Sequence, residues 1–140
     1  MNRGVKGSVA ELLLQKWLEA QGWLVHRAAR AGFIRLPNDK SFCRSHDIFG
    51  CFDLLAVRQR PALGDSTCWA IQVTTQTGRS ARRQKIEERI PHLPFDWRIS
   101  LVTQETVPDP ADRRRTMKYW RVEDYRSGAW QEPVAMPLER

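Results

Sequence analysis

Cys51-Phe-Asp53-Leu-Leu-Ala-Val-Arg58, followed after a short connection by Cys68-Trp-Ala-Ile-Gln72-Val-Thr74-Thr75, is the stretch on which the fold turns. Residues 54–57 are continuously apolar, as in a strand covered on both faces. Residues 59–67 carry Pro61 and Gly64 and read as a turn. Residues 68–74 read as a second strand. Side chains alternate along a strand, so Gln72 and Thr74 share one face. Pairing of the two strands would let Asp53, Gln72 and the carbonyl of Val73 converge.

Working outward, Ser8-Val-Ala-Glu11 reads as a capping box that opens a helix. Val9, Leu12, Leu13, Trp17 and Ala20 then recur as its apolar stripe, and Gly22 stops it. A short strand is expected over 23–27. Residues 28–47, with Gly32, Pro37, Asn38 and Asp39, read as a long loop. Downstream, Ser80 caps a helix running to about Ile90, and Pro91 and Pro94 end it. Strands follow at 97–103 and 117–122, separated by a charged loop at 109–115. The tail from Gly128 reads as an edge element or a loose end. The order α-β-β-β-α-β-β argues for an α/β domain in which helices pack on a mixed sheet. One domain is expected over 1–140, with its core at about 5–104 and a C-terminal extension at 105–140. No internal repeat or linker interrupts it.

The chain has 140 residues, 41% of them apolar, and a formal charge of +7. Its mean hydropathy is −0.55 and its pI about 9.9. These values fit a globular domain with a polyanionic partner, since phosphates attract Lys and Arg over long range. The six tryptophans supply core mass or stack on bases, and sequence does not separate the two roles. The N-terminus lacks the apolar stretch of a secretory signal, and no run is long enough to span a membrane. Three irregularly spaced cysteines do not form a disulfide framework and suit a reducing cytoplasm.

Phosphodiester hydrolysis needs an activated water and charge neutralisation at the transition state, which a hard divalent cation on oxygen ligands supplies. Asp53, Gln72 and the Val73 carbonyl are candidate ligands, and Glu11 joins them if the first helix packs beside the sheet. Bland readings stand beside these. Asp53 suits a strand start, Glu11 suits a capping box, and Gln72 suits a buried amide satisfied by backbone. Asp47 either assists a cation or shapes its loop, and His46 is a loop residue or a base. Cys43, His46 and Cys51 lack a fourth partner for zinc.

Lys6-Gly-Ser-Val-Ala-Glu11, Gly22-Trp-Leu-Val-His-Arg27-Ala, Gly50-Cys-Phe-Asp53-Leu-Leu-Ala and Ile71-Gln-Val-Thr74 together resemble the PD-(D/E)XK nuclease superfamily. The closest flavour is that of archaeal Holliday-junction resolvases and small phage or prokaryotic nucleases. The resemblance covers residues 5–90. It implies a restriction-endonuclease-like mixed sheet flanked by helices and a DNA endonuclease, possible structure selectivity included. It further implies Mg²⁺ or Mn²⁺, and a homodimer that cuts two strands symmetrically. Glu11 and Asp53 match its metal-binding positions. Gln72 stands at the acidic position, and Thr74 stands where the family carries Lys. A hydroxyl there supplies no cation, so Lys85 is the expected substitute, with Arg82 and Arg83 as rivals. The basic helix is expected to track phosphates through Arg79, Arg82, Arg83 and Arg89. Arg30 and Lys118 extend that track, with Arg113-Arg114-Arg115 beside Lys118. Two alternatives use the same fold: a catalytically inactive nucleic-acid-binding protein, and a phage-type interaction factor.

Overall fold

The computed structural model describes residues 3–28, 30–35, 41–45, 47–60 and 65–137; side chains at 3–8, 30–35, 41–45, 60, 65, 66, 76 and 137 are outside that description. The first helix, α1, runs Arg3–Ala20 and ends at Gly22 (φ +90°), where Trp23 N–H returns to the Leu18 carbonyl at 3.1 Å. Only glycine takes this left-handed backbone cheaply. Because α1 begins at Arg3, Ser8 and Glu11 lie inside it and are not a capping box. The expected stripe is also rotated. The line buried against the sheet is Glu11, Leu14 and Leu18, whereas Val9, Leu12 and Leu13 are exposed. Apolar residues occupy several sides of this helix, so spacing alone cannot choose the side that packs.

After α1 come β1 (Leu24–Arg27), β2 (Arg30–Arg35), β3 (Ser41–Ser45), β4 (Leu54–Arg60) and β5 (Asp65–Thr74). Then follow α2 (Arg79–Arg89), β6 (Arg98–Pro108), β7 (Thr116–Arg126), β8 (Ala129–Trp130) and β9 (Val134–Pro137). Seven strands form one mixed sheet in the order β1-β4-β5-β6-β7-β8, with β9 also on β7. Among the described strands only β5 and β6 pair in parallel, and α2 carries the chain between them. The molecule is therefore mixed α/β.

Three expectations fail here. Residues 28–47 are not a plain loop, because β2 and β3 form a separate antiparallel pair, Ile34 opposite Phe42. The turn expected over 59–67 is shorter, since β4 and β5 stay paired out to Arg60 and Asp65. Ser80 does not cap α2 either; the cap residue is Gly78 and makes no side-chain capping bond. The tail from Gly128 is paired on both sides of Gln131, through β8 and β9 on β7.

Strand alternation divides the core in two. Towards α1 lie Leu54, Ala56, Trp69, Ile71, Val73, Val102, Trp120 and Val122, packed on Leu14 and Leu18. Trp120 is fully buried, so its role is core mass. Towards α2 lie Phe52, Ala70, Ile99 and Leu101, packed on Ile86. Among the described residues no helix is long and apolar enough to cross a membrane. Cys51 and Cys68 are free thiols.

Candidate active site

Asp53 precedes β4 and is tied into the sheet through its main chain: its N–H donates to the Ile71 carbonyl at 2.9 Å, and its carbonyl accepts Ala28 N–H at 2.8 Å. That places its side chain on the α2 face, beside Gln72. Asp53 Oδ2 accepts Gln72 Nε2 at 2.6 Å and Val73 N–H at 2.8 Å, and Gln72 Nε2 also donates to the Val73 carbonyl at 3.0 Å. The three groups singled out by strand spacing are thus in direct contact, and Asp53 and Gln72 are both buried.

The Gln72 amide reveals what this corner lacks. Its NH₂ bridges Asp53 Oδ2 and the Val73 carbonyl, while Oε1 is buried with no hydrogen-bond donor. A buried acceptor without a partner costs about 1–3 kcal/mol. Turning the amide over would set three oxygens against one another, which a hard cation satisfies and a neutral donor pattern does not.

Charge points the same way. Burial pushes the Asp53 carboxyl up to about 7, the negative charges of Glu11 and Asp47 add to this, and the Val73 N–H bond and the Arg82 charge oppose it. Glu11 lies on the buried side of α1 and pairs with Arg27 Nε at 3.4 Å. Glu11 and Asp47 therefore both act on Asp53, at the end of the sheet where β1 finishes and β4 begins. Among the described residues no three His, Cys, Asp or Glu side chains gather closely enough to hold a metal. The oxygen set that does gather is mixed: one carboxylate, one amide and one main-chain carbonyl, within reach of the Glu11 charge. This donor set fits Mg²⁺ or Mn²⁺ with part of the ligand shell left to water or phosphate. It does not fit zinc. Burial pushes the Cys51 thiol up to about 11, away from the thiolate zinc needs, while the Cys43 side chain and His46 are outside the described residues.

Gln72→Glu should strengthen Mg²⁺ or Mn²⁺ binding by about tenfold or more, since it adds a full charge to the ligand set. Isothermal titration with Mn²⁺ would measure this, and unchanged or weaker binding would remove Gln72 from the site.

Thr74 is half-buried, and its hydroxyl donates to the Thr75 carbonyl at 3.3 Å. A Cβ on Gly78 would sit 2.8 Å from that hydroxyl, so Gly78 keeps the corner open. Lys85 is exposed on α2, and its charge acts on Cys51, whereas Arg82 is the cation whose charge acts on Asp53.

Docking of α2 sorts its basic residues into two stripes. Arg79 bonds Thr103 at 3.2 Å and pairs closely with Glu105, and Arg83 pairs closely with Glu123. One turn on, Glu87 accepts Trp130 Nε1 at 2.8 Å. Arg82, Lys85 and Arg89 form the other stripe at i, i+3, i+7 and make no ion pair among the described residues. Lys118 alternates with Tyr119 on β7 and so lies on the α1 side of the sheet, away from this stripe. Arg114 and Arg115 both pair with Asp112 in the 109–115 turn. The Arg30 side chain is outside the described residues. Sequence reasoning missed Arg27, which balances Glu11; nothing in its spacing signals that role. No protein-family model, curated protein or solved structure matches this chain.

Proposed function

We propose that the chain is a divalent-metal-dependent endonuclease acting on DNA, built on a restriction-endonuclease-like sheet, with Mg²⁺ or Mn²⁺ held by Asp53, Gln72, the Val73 carbonyl and Glu11. The observation that carries this reading is the bridged trio of Asp53 Oδ2, Gln72 and Val73 O with a buried, donorless Gln72 Oε1. A cation bound there would supply water activation and neutralise charge on the phosphorane-like transition state. The chain's own residues do the rest. Arg82, Lys85 and Arg89 present unpaired charge along α2, about 10 Å from first to last at 1.5 Å per residue. Arg82, nearest in effect to Asp53, holds the scissile phosphate; Lys85 and Arg89 hold its neighbours. Asp53, poised near neutrality, is charged when a cation is bound. A homodimer in the cytoplasm would present two such sites to the two strands of a junction or duplex.

The test is a cleavage assay with Mg²⁺ and Mn²⁺ on duplex, single-stranded, flap and four-way-junction DNA, with Asp53→Ala as control. Metal-dependent cutting that disappears in the variant is expected. The phosphate track has its own outcome. Replacing Arg82, Lys85 and Arg89 by Ala should lower DNA affinity and flatten the salt dependence of log K by roughly 2–3, one counterion per lost contact. Stability should change by no more than about 0.5 kcal/mol.

Thr74 favours a second reading, a nucleic-acid-binding protein that does not cut. Its hydroxyl supplies no charge, and Arg82, the cation that acts on Asp53, carries a guanidinium, a poor proton-transfer group. Salt-sensitive DNA binding, indifferent to Mg²⁺ and to Asp53→Ala, would favour it.

A further inference from the structure

Beside the free stripe of α2 lies a cavity of about 440 Å³ lined by Phe49, Arg89, His92, Leu93, Pro94 and Trp97. We propose that this cavity receives an unpaired nucleobase, stacked against Phe49 and Trp97, with its phosphate on Arg89. The inference deepens the nucleic-acid reading above and rests on it: it names the substrate as DNA with single-stranded character near the cut.

Three features carry it. The first is an unusual turn. Phe49 (φ +54°) and Gly50 (φ +77°) both have left-handed backbone in the turn closed by the Ile48–Phe52 bridge. Such turns take Asn, Asp or Gly at their centre because a bulky side chain is strained there. A phenylalanine held at this position, half-exposed and 5.9 Å from the Trp97 ring centroid, does not serve the turn. Strain of this kind accompanies residues kept for what their side chains do.

The second feature is the chemistry of the walls. Two aromatic rings tilted at 44° offer a face to any base, and among the described residues no carboxylate lines the cavity. The Arg89 guanidinium lies over the turn, 3.3 Å from where a Cβ on Gly50 would sit, so the bare glycine seats it there. Phe95, two residues before Trp97 on the same loop, is fully exposed. Aromatic faces interleaved with unpaired cations are the means by which proteins hold single strands without reading sequence.

The third feature is position. Arg89 belongs to both the cavity and the Arg82–Lys85–Arg89 stripe, which leads back to Asp53. The stripe's length of about 10 Å corresponds to roughly three phosphate intervals of a stacked strand at 3.4 Å each.

The experiment measures binding of an oligothymidylate and of a duplex by fluorescence anisotropy, in chelator so that nothing is cut. Wild type is compared with Phe49→Asn and Phe49→Trp. Asn suits the left-handed turn, so Phe49→Asn should melt at the same temperature as wild type or higher. Its affinity for oligothymidylate should nevertheless fall by about 5- to 100-fold, the worth of one stacked base, while duplex affinity stays within about twofold. Phe49→Trp should retain single-strand affinity. Undiminished oligothymidylate binding by Phe49→Asn overturns the base pocket and leaves the nucleic-acid reading standing. Failure of wild type to bind either DNA overturns both.

Discussion

Asp53→Asn should abolish metal-dependent cleavage and at the same time make the protein more stable above pH 7. Cleavage should fall by on the order of 10²–10³-fold or more, since a charged oxygen ligand is lost at the reacting centre. The stability gain follows from proton linkage. The Asp53 carboxyl titrates at 3.8 when unfolded and is pushed up to about 7 in the fold, by burial first and then by Glu11. Between these values the folded chain keeps a proton that the unfolded chain has released. Folded protein therefore binds more protons, and stability declines as pH rises from about 4 to about 7. Above pH 7 the folded chain carries a buried charge at a cost on the order of 4 kcal/mol. Asn never carries that charge, and its carbonyl can still accept from Gln72 Nε2 and Val73 N–H. Mg²⁺ should act on wild type alone, raising its melting temperature at pH 8; a hundredfold excess over the dissociation constant is worth about 2.7 kcal/mol. Thermal melts of both proteins at pH 5 and pH 8, with and without Mg²⁺, check all of this. Identical pH profiles for wild type and Asp53→Asn would falsify the assignment of the buried charge.

The contacts among Asp53, Gln72 and Val73 were legible because they follow from two local rules. Alternation put Gln72 and Thr74 on one face, and the continuously apolar run at 54–57 identified the partner strand. Antiparallel pairing of Leu54 with Ile71 then brings Asp53 beside Gln72 without any long-range information. Glu11 was harder. Its place depends on which side of α1 packs, and α1 has apolar residues on several sides. The β2–β3 pair was not legible at all, because neither Arg-Ala-Gly-Phe-Ile-Arg nor Ser-Phe-Cys-Arg-Ser alternates apolar with polar residues, and among the described residues the two strands pair with each other and not with the main sheet. Least legible was the division of α2. Its sequence shows a helix crowded with arginines, which reads as one phosphate track. The partners that withdraw Arg79 and Arg83 from it, Glu105 and Glu123, lie 26 and 40 residues further along the chain. Only the parallel crossover that seats α2 over β6 and β7 tells a structural arginine from a free one.

That division makes Glu123 the residue on which α2 depends. Its side chain is only 1% exposed, on β7 beneath α2. Oε2 accepts Arg83 Nε at 3.0 Å, and Oε1 pairs with Arg121 at 2.5 Å. Two guanidinium groups, each more than half-buried, thus share one carboxylate. Glu123→Ala would leave both facing an empty, partly dry space. Removing one partner from a buried ionic group costs about 3–5 kcal/mol, far above the worth of a surface pair. Arg83→Ala should cost less, because Arg121 still neutralises Glu123 and Arg83 is itself 37% exposed. Urea denaturation should therefore rank Glu123→Ala below Arg83→Ala, with the Arg82, Lys85 and Arg89 substitutions near wild type. DNA affinity should rank the other way, falling with the free stripe and holding for Arg83→Ala under conditions where that variant stays folded. The two orders cannot both arise from a helix whose arginines are interchangeable. Should Glu123→Ala lose less than about 1 kcal/mol, the buried pair does not hold α2, and the separation of structural from phosphate-binding charge on this helix fails with it.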